Sequence, residues 1–360
     1  MSYSILTPYW IPHTTKNRER ANVGDGFIME AIINLLDPAH ARYVFSNRER
    51  LTDNDIDKIN STTALILAGA NQLDDNFSVV PDFSLQTLSQ IDVPIIPFGI
   101  GINGESGKNI SMSEETRQII SFIHERTKWS SWRCPLTIDY LEKNIPELSE
   151  HFLLTGCPVM YLGEPDMRNS IPAECAKTVA VTITDRGNYW HRETQTIDIV
   201  AKTFPTARKW LSLHQRPSEF GAKKILKSLL HGKTNRLRTT AGLCRYAEKR
   251  GFEIFQSDNV HDYLEHYRSI DTHIGSRLHA HLFFLSQRKP SFVTHVDNRA
   301  MGFSRMLGFP VYNHTNLEDC LKFDFNPCWE AMDSVRVTMD QFVNYLKEEV
   351  LESNTKGNSD

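Results

Sequence analysis

The sequence predicts an α/β protein made of two Rossmann-like domains. Three observations predict it. Strand-like and helix-like runs alternate in the first half, the same alternation returns in the second half, and 360 residues exceed what one ordinary hydrophobic core holds. Hydrophobic residues make up 40% of the chain and charged residues 23%, a balance that supports packed cores and excludes a disordered chain.

In the first half, short apolar runs predict strands at Ser4–Leu6, Arg42–Phe45, Ala64–Leu67, Val93–Pro97 and Trp129–Trp132. The stretches GDGFIMEAIINLL, MSEETRQIISFIHER and PLTIDYLEKN between them carry apolar residues at helical spacing. In the second half, strands are expected at Thr178–Ile183, Lys209–Leu213, Glu253–Phe255, Thr272–Ile274 and Ser291–Thr294, with helices between them. Pro165, Asn169, Ser170 and Pro172 interrupt any regular pattern in GEPDMRNSIPAECAK, which reads as the linker. The expected domains are therefore 1–165 and 175–330. Residues 331–360 follow as the amphipathic helix DSVRVTMDQFVNYLKEEVLE and a polar tail.

A formal net charge of −4 gives no whole-molecule attraction to nucleic acid. The six cysteines, Cys134, Cys157, Cys175, Cys244, Cys320 and Cys328, lack CxxC or zinc-finger spacing and read as reduced thiols of a cytosolic protein. The N-terminus has no basic start followed by an apolar core, and no run reaches the roughly 20 apolar residues of a membrane span. The expectation is a cytoplasmic protein. In 222–238, AKKILKSLLHGKTNRLR, six basic residues stand with no acid beside Ile225, Leu226, Leu229 and Leu230. That pattern is either a solvated helix face or a contact with a polyanionic glycan or, peripherally, with anionic lipid at the inner face of the membrane.

The stretch DTHIGSRLHAHLFFLSQRKPSFVTHVDNRAMGF holds the main chemical signal. A strand-like run ends in Gly-Ser, and a helical run then opens with Arg277 and His279 in its first turn. In α/β sheets, ligands bind beyond the carboxyl ends of strands, where helix N-termini offer free N–H groups and partial positive charge. Leu278, Leu282 and Leu285 form the apolar stripe that would anchor this helix without the Arg and His. Read locally, the pair is either a surface Arg with a hydrogen-bonded buried His or an anion site.

The stretch IGSRLHAHLFFLSQRKPSFVTHVDNRAMGFSRMLG resembles the C-terminal signature of the polysaccharide pyruvyl transferase family. NVGDGFIMEAI, LILAGANQL, FGIGINGESG and WSSWRCPLTIDYLEKN with LTGCPVMYL resemble further pieces of that family in the same order. The resemblance implies a fold like that of two-domain GT-B glycosyltransferases, with a cleft between the domains. It implies transfer of pyruvate from phosphoenolpyruvate to two hydroxyls of a sugar as a ketal, in a surface polysaccharide or its lipid-linked precursor. Phosphoenolpyruvate is then a co-substrate, and neither a cofactor nor a metal is expected.

On the family pattern, Arg277 and Arg133 are carried over as phosphoenolpyruvate ligands, and His279 as a phosphate contact with a share in proton transfer. Arg299 stands where the family commonly has a Lys, and is carried over as a third cation. Asp25, in VGDGF, is the candidate base for the acceptor hydroxyl; its alternative is a first-turn carboxylate that complements the helix dipole. Gly24, Gly69, Asn71, Gly99, Gly101, Asn103 and Arg186 are expected to line the cleft. ITDRGNYWHRE and the Gln215 and Arg216 of SLHQRP are placed on the same side. Two departures stand out: Cys134 follows Arg133 where the family often has an Asp, and Gly69 stands alone where a run of glycines is usual.

Two other functions fit the same architecture. One is a GT-B glycosyltransferase using a nucleotide sugar, which would more typically show a late-strand carboxylate for the ribose. The other is a non-catalytic glycan-binding protein, should the departures at Cys134 and Gly69 mark a decayed site.

Overall fold

The computed structural model describes residues 2–9, 22–77, 80, 84–103, 111–184, 189–215, 239–313 and 316–351. The expected cleft residues Arg186 and Arg216 and the basic stretch 222–238 lie outside the described residues. The first half opens with β1 (Tyr3–Thr7), α1 (Val23–Leu36), β2 (Ala41–Ser46), α2 (Asp53–Asn60) and β3 (Ala64–Ala68). It continues through β4 (Asn71–Leu73), α3 (Leu85–Leu88), β5 (Ile95–Phe98), β6 (Gly101–Ile102) and α4 (Glu114–His124). β7 (Ser130–Trp132), α5 (Pro135–Asn144) and β8 (Phe152–Leu154) complete it.

These strands pair in parallel in the order β2-β1-β3-β5. The parallel pair β7-β8 extends the sheet, because Gly99 donates its N–H to the Ser131 carbonyl at 3.0 Å and Ile100 bridges to Trp132. β3, ALILA, is buried along its whole length, as a central parallel strand covered on both faces must be.

The second half runs β9 (Thr178–Thr182), α6 (Trp190–Thr203), β10 (Arg208–Ser212), α7 (Thr240–Glu248), β11 (Phe252–Phe255) and α8 (Val260–Arg268). Next come β12 (Thr272–Gly275), α9 (Leu278–Ser286), β13 (Ser291–Thr294), α10 (Asn298–Leu307), β14 (Val311–Tyr312), α11 (Leu317–Cys320) and α12 (Asn326–Tyr345). Its strands are all parallel, in the order β11-β10-β9-β12-β13-β14, the strand order of a dinucleotide-binding Rossmann sheet. In each sheet the winding direction reverses once, between β1 and β3 in the first and between β9 and β12 in the second. Such a switch point leaves a crevice at the strand carboxyl ends, because the two following loops turn away from each other.

Two features at the junction of the halves differ from expectation. α9 was expected to be amphipathic, yet all nine of its residues are buried. One side packs on β12 and β13, and the other on α1 and the turn Pro158–Tyr161 of the first half, so no face is left for water. The C-terminal helix starts at Asn326 and does not stand apart. It reaches back to the first half, where Phe342 meets Phe98 edge-on at 5.1 Å and the Tyr345 hydroxyl accepts the Lys128 N–H at 2.9 Å.

Candidate active site

A cavity of about 470 Å³ lies where the carboxyl ends of the two sheets face each other. The first half contributes Pro8 after β1, Asn47 and Arg48 after β2, and Ala70, Asn71 and Gln72 after β3, with Asn22 and Asp25 from the start of α1. The second half contributes Thr184 after β9, His214 and Gln215 after β10, Ser276 to His279 after β12, and Val296 and Arg299 after β13. The cavity thus sits at both switch points, and two Rossmann-like sheets opening onto one cleft is the GT-B-like arrangement.

Arg277 is the residue before the first turn of α9, in extended conformation. Its backbone N–H donates to Thr182 Oγ1 at 3.2 Å, and its Nε donates to the Ile183 carbonyl at 2.8 Å. Behind it runs a buried polar chain, in which Thr182 Oγ1 meets His273 Nε2 at 2.8 Å and Ser291 Oγ meets His273 Nδ1 at 2.8 Å. Ser291 Oγ also meets His281 Nδ1 at 2.9 Å. This chain ties the N-terminus of α9 to β9 and β13.

His279 is the second residue of the helix and faces Gly24 of α1. A Cβ at Gly24 would stand 2.8 Å from His279 Nδ1, so glycine there is what lets the imidazole approach. Burial pushes the His279 pKa well below its usual value, with Arg299, Arg133 and Arg277 acting in the same direction. His281 points the other way, into the core, with its ring edge-on to Phe309 at 4.4 Å.

Arg299 is held by Asp297, the N-cap of α10, through Nε to Oδ1 at 2.8 Å and Nη2 to Oδ2 at 2.6 Å. Hydrogen bonds and the charge of Arg299 hold the Asp297 carboxyl below its usual range against its burial. Asp25 is buried in the first turn of α1 behind the Asn22 cap, with Arg48 Nη2 at 3.8 Å. Burial raises its pKa, opposed by Arg48, Arg299, the Asn22 side chain and Arg277.

Arg133 does not line the cavity. It follows β7, is fully buried, and none of its three guanidinium nitrogens has a protein hydrogen-bond acceptor. The group lies flat against Gly101, where a Cβ would stand 2.3 Å from Nη2, and 5.9 Å from the Phe303 ring. Cys134 caps no helix N–H with its thiol and instead meets Thr137 Oγ1 at 3.3 Å. The residue after Arg133 is Cys134 and not a carboxylate, and Asp297 is a carboxylate whose charge reaches Arg133.

The other expected cleft residues divide. Asn71 lines the cavity, while Gly24 and Gly101 are not in its lining and make room for His279 and Arg133. Gly69 and Gly99 serve packing instead. A Cβ on Gly69 would come within 2.1 Å of the Gly99 carbonyl oxygen, and Gly99 has φ +68° against Pro158. Asn103 is exposed and donates its backbone N–H to the Leu73 carbonyl. In ITDRGNYWHRE, Arg192 turns from the cavity to the His295 carbonyl at 2.7 Å and pairs with the buried Glu193 at 2.8 Å. The sequence reading missed His214, Arg48 and Asp297. His214 stood in the quoted SLHQRP, and its position past a strand end was the available signal.

Among the described residues, no group of three or more His, Cys, Asp or Glu side chains is gathered as a metal site. No helix among them is long and apolar enough to cross a membrane.

The fold and the cleft are GT-B-like, and the family that the sequence matches makes the chain a transferase. Residues 22–298 match the family model described as polysaccharide pyruvyl transferase, and the chain belongs to that family. Membership places its activity in polysaccharide pyruvylation. No curated protein matches the sequence. Solved structures similar to it include the UDP-N-acetylglucosamine 2-epimerase of Rickettsia bellii, at 10% identity and TM-score 0.45, covering 97% of this chain and 99% of that one. MnaA of S. aureus with UDP is similar at 10% identity and TM-score 0.49, covering 96% of each chain. The wall teichoic acid polymerase TagF is similar at 10% identity and TM-score 0.42, covering 100% of this chain and 90% of that one.

Proposed function

We propose that the cavity binds phosphoenolpyruvate and moves its pyruvyl group onto two hydroxyls of a sugar in a polysaccharide or its precursor, as a cyclic ketal. The observation that carries this reading is the pair of cavity-lining cations Arg277 and Arg299 beside His279, with Asp297 committed to Arg299 and the charge of the buried Arg133 reaching His279 from outside the lining. Phosphoenolpyruvate carries a phosphate and a carboxylate close together, and planar guanidinium forks suit both. A buried guanidinium with no protein acceptor is costly unless an anion offsets it, and Arg133 is such a group.

The chemistry needs a proton at C3 of the enol and bases for two hydroxyls. Protonation at C3 leaves an oxocarbenium-like C2, the first hydroxyl oxygen bonds to it, phosphate leaves with the C2–O electron pair, and the second hydroxyl closes the ring. His279, held neutral in the empty site, becomes a phosphate contact and proton donor once a dianion offsets the neighbouring arginines. Asp25 is the base for the acceptor hydroxyl, its burial raising its basicity. Phosphoenolpyruvate is a cytoplasmic metabolite, so on this reading the enzyme works in the cytoplasm.

Thermal melting with phosphoenolpyruvate and, separately, with UDP- and CDP-sugars tests the reading. Stabilisation by phosphoenolpyruvate, with release of inorganic phosphate when pyranoside acceptors are added, is the expected result. Stabilisation by a nucleotide sugar alone would overturn it in favour of glycosyl transfer.

A further inference from the structure

We propose that His214 is a second proton carrier of this cavity, oriented for that work by Tyr267; the proposal rests on the pyruvyl-transfer reading above. His214 lies just past the carboxyl end of β10 and lines the cavity. Its Nε2 meets the Tyr267 hydroxyl at 2.8 Å, and its ring sits edge-on to Tyr263 at 5.4 Å and tilted on Phe27 at 5.6 Å. Its backbone carbonyl accepts the Val23 N–H at 3.0 Å, which fixes it against the start of α1.

With Nε2 engaged, Nδ1 is the nitrogen left for a substrate. A Cβ at Gly24 would stand 3.2 Å from His214 Nδ1 and 2.8 Å from His279 Nδ1. Two imidazole nitrogens therefore flank one spot at the mouth of α1. His273, by contrast, commits both nitrogens to the protein, to Thr182 and Ser291.

The proton count of the reaction calls for such a pair. Two hydroxyl protons must leave, one proton must reach C3, and one must go out with the phosphate. A single imidazole that has given its proton to C3 cannot at the same moment supply the phosphate. His214 takes a proton from a hydroxyl as its oxygen bonds to C2. It then gives that proton to the phosphate as the C2–O bond breaks with its electron pair passing to the phosphate oxygen. Burial first, then Arg277, His279 and His273, keep the empty-site imidazole neutral and able to accept. Those three, with Tyr263 and Tyr267, are the titratable and charged groups that face it.

The test uses His214→Gln, whose amide can reach Tyr267 but cannot carry a proton, and Tyr267→Phe. His214→Gln should keep stabilisation by phosphoenolpyruvate while phosphate release on the pyranosides that the parent accepts falls roughly 100-fold, the scale of a positioned acid–base group. Tyr267→Phe should keep the same binding and shift one limb of the pH–rate profile, which a merely structural tyrosine would not do. Turnover by His214→Gln within about threefold of the parent would overturn the proposal, and so would loss of binding in proportion to loss of turnover. Should His214→Gln fail to fold, an unshifted profile in Tyr267→Phe overturns the proposal and a shifted one supports it. A parent protein that phosphoenolpyruvate does not stabilise would instead overturn the pyruvyl-transfer reading, and this proposal with it.

Discussion

Asp297 holds Arg299 with both carboxylate oxygens, at 2.8 and 2.6 Å, while Oδ1 also accepts the Arg299 backbone N–H at 3.1 Å. One side chain thus caps α10 and aims a guanidinium at the cleft. Arg299→Gln removes the cation and leaves the Asp297 charge without its partner, facing an anionic substrate. The expected result is a KM for phosphoenolpyruvate raised about 10- to 100-fold, the worth of a charged hydrogen bond. Adding Asp297→Asn to that variant should recover part of the loss, since Asn still caps the helix but no longer repels the substrate. Steady-state phosphate release from both variants checks this, and a double variant worse than the single would show that the carboxylate does more than hold Arg299.

Arg277→Lys should be far from conservative. The Arg277 Nε donates to the Ile183 carbonyl at 2.8 Å, which fixes the plane of the guanidinium beside the cavity. Lysine offers a point charge with neither the backbone anchor nor the fork, so kcat/KM should fall by about 2 kcal/mol, roughly 30-fold. An unchanged kcat/KM would remove Arg277 from the site.

Much of this was legible in the sequence because strand and helix signals are local. Ser291–Thr294 and Pro135–Asn144 match their expected bounds, and nine other expected strands shift by at most two residues at an end. β4, β6, β8 and β14, of two or three residues each, are too short to carry a period. The Arg277 and His279 pair was readable from position alone, past a strand end at a helix start. The all-round burial of α9 was not, because it depends on what the first half places against it. Arg133 shows the same limit: its residue type suggested an anion ligand, but its place under the cavity against Gly101 is set by long-range packing.

Acid should weaken the fold through His124 as pH falls below about 6.5. His124, with Nδ1 at 3.1 Å from the Thr127 carbonyl and Nε2 at 3.0 Å from Ser130 Oγ, is pushed down to about 4 by burial. An unfolded histidine titrates near 6.5, so between those values the unfolded state binds the extra proton. Stability from this group is complete above about pH 6.5 and is lost as pH falls toward 4, with a limiting slope of about 1.4 kcal/mol per pH unit. Buried Asp25 and Glu193, whose pKa values burial raises, act with the opposite sign, so the whole-protein slope mixes both. Urea unfolding of the parent and of His124→Gln at several pH values isolates the histidine. The variant should lose stability less steeply over this window, and parallel curves would refute the assignment.

The two histidines of α9 should separate function from stability. His279 faces Gly24 and the cavity, among Arg133, Arg277 and Arg299. His279→Ala should cost roughly 100-fold or more in turnover, the scale of a positioned acid–base group. The rest of the helix stays packed between the two halves, so its melting temperature should fall only modestly. His281 is buried on the opposite side, bonded to Ser291 Oγ at 2.9 Å and edge-on to Phe309. His281→Ala opens a cavity and leaves Ser291 with His273 alone, so it should lose about 2 kcal/mol of stability or more. Its turnover below the melting transition should stay near that of the parent. Melting curves and phosphoenolpyruvate turnover of both variants decide between these roles. A His279→Ala protein that turns over normally would make this helix start a packing device, and the three arginines around it would need another explanation than an anionic substrate.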